Sequence, residues 1–319
     1  LPVILKAVHR IHTNEALCND QTLVELVGLY LNLIEKYPKE MCKHIENWFE
    51  PAAILSVSTH ETVRRKCLLV FQQLWDFISN QNYELNWNFL DRDKLKLKVV
   101  EKMNELQKET EPIFVLELWI VLIKIFGKML YRGSSFLNSL LKVVEASFKI
   151  PGGSIQKQLV FKAWRTLIEN FAHDQGVLLA PNRLKLVMQP LLHVPPIDES
   201  VAEEKLRTWW KLIQSINEKL DENHFSTICI PFLRFCVGGS CHTIISEVGT
   251  EGSVSEQRIL LSKIFKTPCT PKNPVVFTLP SLASVYLSHK QLNCFAACQN
   301  LIGEILAHFF SRKFPETVK

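Results

Sequence analysis

The sequence predicts an all-α solenoid of HEAT or armadillo type, built from stacked pairs of helices. Apolar residues recur at the spacing of amphipathic helices along most of the 319 residues. Glycine is scarce at 11, and many of the 15 prolines flank the apolar runs rather than interrupt them. No segment alternates cleanly between apolar and polar residues over six positions, as a half-buried strand would. Hydrophobic residues make up 47% of the chain, which is enough for a continuous core.

Each apolar stripe marks one predicted helix. Asp20 and Asp91 are predicted to be N-caps, and Pro38 is predicted to end one helix and begin the next. The run from 113 to 130 is apolar nearly all round, which indicates a helix that is covered on several sides. In chain order, the predicted helices span 22–37, 61–78, 91–107, 113–130, 135–148, 155–172, 182–192, 200–220 and 223–237.

The spacing of these helices sets the predicted domain organisation. Two-helix units of roughly 40 residues recur over 1–237, as in HEAT repeats, and a globular helical bundle is the alternative. Residues 238–280 are rich in glycine, serine, threonine and proline, which predicts an irregular, mobile loop insert. A further helical repeat is predicted at 281–319, truncated at the end of the fragment. Because the chain starts with leucine rather than methionine, we expect a segment of a larger protein.

Motifs of catalysis and metal binding are missing from the sequence. It contains no nucleophile elbow, Walker loop, dinucleotide fingerprint or HExxH helix. The nine cysteines form no CxxC pair, so we expect reduced, mostly buried thiols and no metal. The longest apolar run carries charges and is shorter than the roughly 20 residues that span a bilayer. We therefore expect no enzymatic activity, no cofactor, no small-molecule substrate and no membrane partner.

Basic residues concentrate in the middle of the chain. The net charge is +5, and Glu145 is the one acidic residue between positions 118 and 168. Stacked helix pairs would gather these charges into a surface for phosphate groups, on a phosphorylated peptide or on nucleic acid. Ordinary solvated lysines are the alternative. The residues predicted to form this phosphate-binding or partner-binding surface are Lys124, Lys128, Arg132, Lys142, Lys149, Lys157, Lys162, Arg165, Arg183 and Lys185.

The tryptophans of this region are predicted to serve packing rather than binding. Trp119, Trp164, Trp209 and Trp210 lie at the spacing of core positions. No aromatic platform is evident beside the lysines, which argues against the stacking of single-stranded bases.

Five segments between residues 127 and 233 are similar to one known family, and they are Gly127-Lys-Met-Leu-Tyr-Arg-Gly133, Phe161-Lys-Ala-Trp-Arg-Thr-Leu-Ile-Glu-Asn-Phe-Ala172, Arg183-Leu-Lys-Leu-Val-Met-Gln-Pro-Leu191, Glu204-Lys-Leu-Arg-Thr-Trp-Trp-Lys-Leu212 and Ile230-Pro-Phe-Leu233. Together they resemble the N-terminal HEAT-repeat region of the Rap-interacting factor (Rif) family, in an animal member. The similarity is clear from about residue 117 to 233 and rests on the order and spacing of the segments.

The resemblance implies a nuclear, chromosome-associated scaffold that acts in telomere maintenance, replication timing and double-strand-break repair. For an animal member it implies binding to phosphorylated segments of repair adaptors and to a shieldin-type effector. Yeast members imply the alternative of direct DNA binding. The family's phosphatase-docking motifs are not expected here, since no basic residue stands next to Val275 in Asn273-Pro-Val-Val-Phe277. An importin-like transport adaptor is a third hypothesis, but the sequence shows no Asn/Trp ladder.

Overall fold

The computed structural model describes residues 1–13, 19–109, 111–131 and 134–216, together with 224, 227–228, 231–232 and 235. The predicted loop insert at 238–280 and the predicted repeat at 281–319 lie outside the described residues. The described part of the chain is helical and contains no strand, which confirms the predicted all-α fold class. None of its helices is long and apolar enough to cross a membrane. The chain divides into two compact units, Leu1–Val177 and Leu178–Lys319.

The first unit contains ten helices among its described residues. Short 3-10 turns lie at Ile45–Asn47 and Gly127–Tyr131, and a π-helical turn at Lys96–Val100 joins α6 to α7. The helices are α1 (Pro2–Thr13), α2 (Asp20–Lys36), α3 (Pro38–Lys43), α4 (Phe49–Leu55), α5 (Glu61–Gln81), α6 (Arg92–Leu95), α7 (Glu101–Glu109), α8 (Pro112–Phe126), α9 (Ser134–Lys149) and α10 (Ser154–Ala172). The short helix α11 (Gln175–Leu178) crosses the boundary between the units, and α12 (Pro181–His193) and α13 (Glu199–Ile216) belong to the second unit.

Helices of the first unit pack in two layers. In the first layer, α2, α5, α8 and α10 lie side by side in that order. These helices run parallel to one another, as contacts near their ends indicate. The N-terminal ends of α2 and α5 meet at the ion pair of Asp20 with His60 (2.6 Å). Near the ends of α8 and α10, Asn170 Nδ2 donates to the Ile123 carbonyl (3.2 Å). The second layer holds α4, the α6–α7 helix and α9, and pairs such as α9–α10 stack in succession as HEAT or armadillo repeats do.

Aromatic side chains fill the space between the layers. Phe49 contacts the rings of Trp48, Phe71, Trp87 and Phe126 at centroid distances of 4.9–6.2 Å. The indole of Trp119 is fully buried on α8 and donates its Nε1 hydrogen to the Leu140 carbonyl of α9 (2.8 Å).

The predicted packing role of the tryptophans is confirmed in both units. Trp119 and Trp164 in the first unit, and Trp209 and Trp210 in the second, are each at most 7% exposed.

Two predicted helix ends are wrong. Asn19, not Asp20, caps α2, because the Asn19 side chain accepts from the Thr22 amide (2.8 Å) and Asp20 is already helical. The helix predicted at 113–130 ends at Phe126, because Gly127 has a φ of +49° and starts the 3-10 turn. The Asp91 cap is confirmed, since its side chain accepts from the Lys94 amide (3.0 Å).

Candidate partner-binding surface

The ten basic residues predicted to bind phosphate are distributed over both units. Lys124, Lys128, Lys142, Lys149, Lys157, Lys162 and Arg165 lie in the described part of the first unit. Arg183 and Lys185 are on α12 in the second unit. Arg132 lies outside the described residues. A candidate surface within one unit can therefore include only the seven residues of the first unit.

Lys157 is engaged in the fold. Its Nζ atom donates to the carbonyls of Phe148 and Ile150, both at 2.8 Å, where α9 ends. These carbonyls have no partner inside α9, so the ammonium caps the helix and complements its negative end. Burial lowers the pKa of Lys157 below its usual range, which agrees with an ammonium turned into the protein. Lys157 therefore holds the turn between α9 and α10.

The same arrangement recurs in other repeats. Arg64 on α5 donates to the carbonyls of Ser58 and Thr59, both at 2.7 Å, in the turn that follows α4. Lys205 on α13 donates to the Val194 carbonyl (2.7 Å) directly after α12. In each case a basic side chain from the second helix of a pair ties down the end of the first.

Two cations of the first layer contact side chains of a neighbouring helix. Arg65 on α5 lies 3.6 Å from Glu61 on its own helix and 3.6 Å from Glu117 on α8. Lys124 on α8 is half-buried, with its ammonium 5.7 Å from the ring centre of Trp75 on α5. Because these contacts join neighbouring helices, the side chains of Arg65 and Lys124 have a role within the fold that needs no partner molecule.

Four of the predicted lysines in the first unit are exposed. Within the described part of the chain, Lys128, Lys142, Lys149 and Lys162 take part in no ion pair or hydrogen bond. Lys142 and Lys149 are seven residues apart on α9, so they share one face of that helix. Lys162 lies on α10 in the other layer and faces the opposite outer surface. The structure therefore brings Lys142 and Lys149 together and separates them from Lys162.

Two further lysines lie beside Lys142 and Lys149 that the sequence analysis did not select. Lys98 in the π-helical turn and Lys108 on α7 are exposed, and neither is paired with another described residue. The helix that carries them packs against α9 in the second layer, and Gln107 Nε2 donates to the Val143 carbonyl of α9 (3.0 Å). Acidic residues are interspersed with these lysines along the sequence, so the local net charge of this segment is small and did not single the lysines out. The lysine-rich character of the predicted helix at 91–107 was the available signal.

The described thiols and carboxylates do not form a second kind of site. No group of three or more His, Cys, Asp or Glu side chains in the described residues is placed to hold a metal ion. Cys42 and Cys67 are buried, and burial raises the pKa of the Cys42 thiol to about 12. Such thiols are protonated and unreactive at neutral pH.

Comparison with known proteins gives the family. A family model described as "Rap1-interacting factor 1 N terminal" matches residues 1–228. The chain belongs to this family. The resemblance seen in the sequence is thereby confirmed, and the match extends over the whole first unit and into α12 and α13.

Relatives within the family are much longer than this chain. The telomere-associated protein RIF1 of Mus musculus is 30% identical over 210 residues, which cover 66% of this chain and 8% of the relative. The protein of the same name from Homo sapiens is 28% identical over 231 residues, or 70% of this chain and 9% of the relative. That of Gallus gallus is 27% identical over 287 residues, or 89% and 12%. The chain thus spans about a tenth of the length of these relatives, and no solved structure matches it.

Proposed function

We propose that this chain is a non-enzymatic scaffold segment that binds phosphorylated segments of partner proteins on chromosomes. The observation that carries the proposal is the set of exposed lysines in the first unit that have no ion pair or hydrogen bond among the described residues, Lys98, Lys108, Lys128, Lys142, Lys149 and Lys162. The relatives are named telomere-associated proteins, which supports a nuclear, chromosome-associated location.

Phosphate is the partner chemistry that these lysines suit best. An exposed lysine–carboxylate pair contributes little to binding, because solvent screens a single charge. A phosphoryl group carries nearly two negative charges and three acceptor oxygens, so several lysine ammoniums can engage it at once. Phosphorylation would then convert a weak contact into a binding event, and the scaffold would assemble partners in response to a kinase.

The cellular setting of this proposal follows from the family. We infer that the partners are phosphorylated repair adaptors and a shieldin-type effector, and that the scaffold acts in double-strand-break repair, telomere maintenance and replication timing. The stacked repeats support this role, because arrays of helix pairs offer extended surfaces for several partners.

The test compares matched ligands on the complete 319-residue chain. A degenerate peptide library with a fixed central phosphoserine and the same library with serine are titrated by fluorescence anisotropy. The phosphorylated library is expected to bind more tightly, and adding free phosphate should compete with it. Equal affinity for the two libraries would refute the proposal.

Direct DNA binding is the second candidate. The unpaired cations are lysines spread over two outer faces, an arrangement that also suits sequence-independent contacts with a phosphate backbone. Affinity for a short DNA duplex should then fall with salt, with a log–log slope of roughly −0.9 for each phosphate neutralised. Undetectable or salt-insensitive binding to the duplex would remove this candidate.

A further inference from the structure

We propose that the phosphate-binding surface of the first unit is the outer face of the second layer, formed by the α6–α7 helix and α9. Its cations are Lys98, Lys108, Lys142 and Lys149, and we call it the α7–α9 face. This inference rests on the proposed function, and it assigns that function to one side of the layered structure. Its occupant is a phosphorylated segment of a partner protein.

The spacing of the unpaired lysines distinguishes the two outer faces, because on the first layer Lys66 on α5 and Lys162 on α10 are separated by α8. On the first layer, Arg65 is held by Glu61 and Glu117, and Lys124 covers Trp75. The α7–α9 face instead presents four exposed lysines on two adjacent helices, none with an ion pair or hydrogen bond among the described residues. Unpaired charges are the ones a ligand can engage without first breaking an internal contact.

Acidic residues on the α7–α9 face weaken its attraction for an anion that carries a single charge. Glu105 pairs with Lys102, whereas Glu101 and Glu145 form no ion pair among the described residues and lie among the lysines along the sequence. A carboxylate of a partner would gain little here, since the neighbouring glutamates offset part of the field. A phosphoryl group carries about twice the charge and is favoured over Asp or Glu.

Exposure and helix packing place the four lysines on one side of the second layer, although Lys98 and Lys108 are about 80° apart around their helix. Lys98 and Lys108 are ten residues apart, or about 15 Å along the helix, and Lys142 and Lys149 are about 10 Å apart on α9. The α6–α7 helix and α9 pack with their C-terminal parts level, because the amide of Gln107 bonds to Val143 and Ser147. A patch of this length spans about five residues of an extended peptide. The face can therefore hold one phosphorylated residue and its flanks.

Matched variants of the complete chain separate this inference from the proposed function. The face variant carries K98Q, K108Q, K142Q and K149Q, and the control variant carries K6Q, K36Q, K39Q and K66Q, at lysines outside the proposed binding set. Each variant removes four positive charges from solvent-accessible lysines without a described ion pair, so net charge and long-range attraction change equally. Circular dichroism and thermal melting of both verify that the fold is kept.

The probe is the peptide library with a fixed phosphoserine. The face variant should lose roughly tenfold or more in affinity, and the control roughly twofold or less, because long-range charge is screened by salt. A library with aspartate in place of phosphoserine should bind wild type much more weakly.

The possible outcomes then separate cleanly. Loss of binding in the control alone, or equal loss in both, would overturn the assignment to the α7–α9 face and leave the proposed function standing. Failure of wild type to prefer the phosphorylated library would overturn both.

Discussion

Replacing Arg64 by methionine is expected to cost the first unit about 3–5 kcal/mol, the range for removing one partner of a buried ion pair. Arg64 is 5% exposed; it pairs with Glu111 at the start of α8 and donates to the Ser58 and Thr59 carbonyls at 2.7 Å. Methionine fills similar space but leaves one carboxylate and two carbonyls without their donor. The midpoint of thermal unfolding should fall by about 10 °C for a unit of this size.

The control for this prediction is the neighbouring residue. Arg65 is about half exposed, and its two ion-pair distances are 3.6 Å, so Arg65→Met should cost less than about 1 kcal/mol. Both variants are measured by urea unfolding followed by circular dichroism at 222 nm, the wavelength of helical signal.

A double-mutant cycle then tests the cause. Arg64→Met and Glu111→Leu together should be less destabilising than the sum of the two single changes, because each single change leaves an unpaired buried charge and the double variant leaves none. A loss below about 1 kcal/mol for Arg64→Met, or strict additivity in the cycle, would refute the view that this pair joins α5 to α8.

Three further predictions concern other parts of the fold. Trp119→Phe should cost about 1–3 kcal/mol in urea unfolding, since it opens a small cavity and removes the indole hydrogen bond that the Leu140 carbonyl accepts; a loss near zero would contradict that role. Gly127→Ala should cost about 1–3 kcal/mol through backbone strain alone, because φ is +49° with ψ at −131° and no atom lies within 4 Å of the added methyl group; a stabilised variant would argue against this backbone conformation. Burial lowers the pKa of Lys205 to about 8 from 10.5, so the unfolded chain binds more protons between these values and the free energy of unfolding should rise with pH across them, by at most about 3 kcal/mol. Lys205→Met should flatten that rise, and an unchanged slope would contradict the assignment.

The fold class was predictable because it depends on periodicity alone. Spacing of apolar residues predicted the burial of Trp119, Trp164, Trp209 and Trp210 correctly, since a helix buries whichever stripe is apolar. Helix ends depend on finer chemistry. Asn19 and Asp20 are both good N-caps by type, and only the position of the chain decides which side chain accepts from Thr22. The φ of Gly127 likewise follows from packing around α8.

The proposed binding surface was less predictable, because the net charge of a sequence segment does not show which layer of helices each residue belongs to. A window of residues in a two-layer array contributes to both outer faces in alternation. Lys142 and Lys162 are close in the basic run, yet they belong to α9 and α10 and point to opposite sides. Lys98 lies far from Lys142 in sequence but on the adjacent helix of the same layer.

Burial separates two groups of basic residues in this chain, those engaged in the fold and those proposed to bind a partner. Arg64 and Lys205 are at most 5% exposed and Lys157 is half-buried, and each donates to carbonyls where the first helix of a pair has ended. When the helices stack, those carbonyls can no longer bond to water, so a tightly stacked pair needs a hydrogen-bond donor at the end of its first helix. Arginine and lysine both meet that need from slightly different positions on the second helix. Repeats of this kind can therefore form the same contact although their sequences differ. Part of the positive charge of the chain accordingly stabilises the fold and is not available to a ligand.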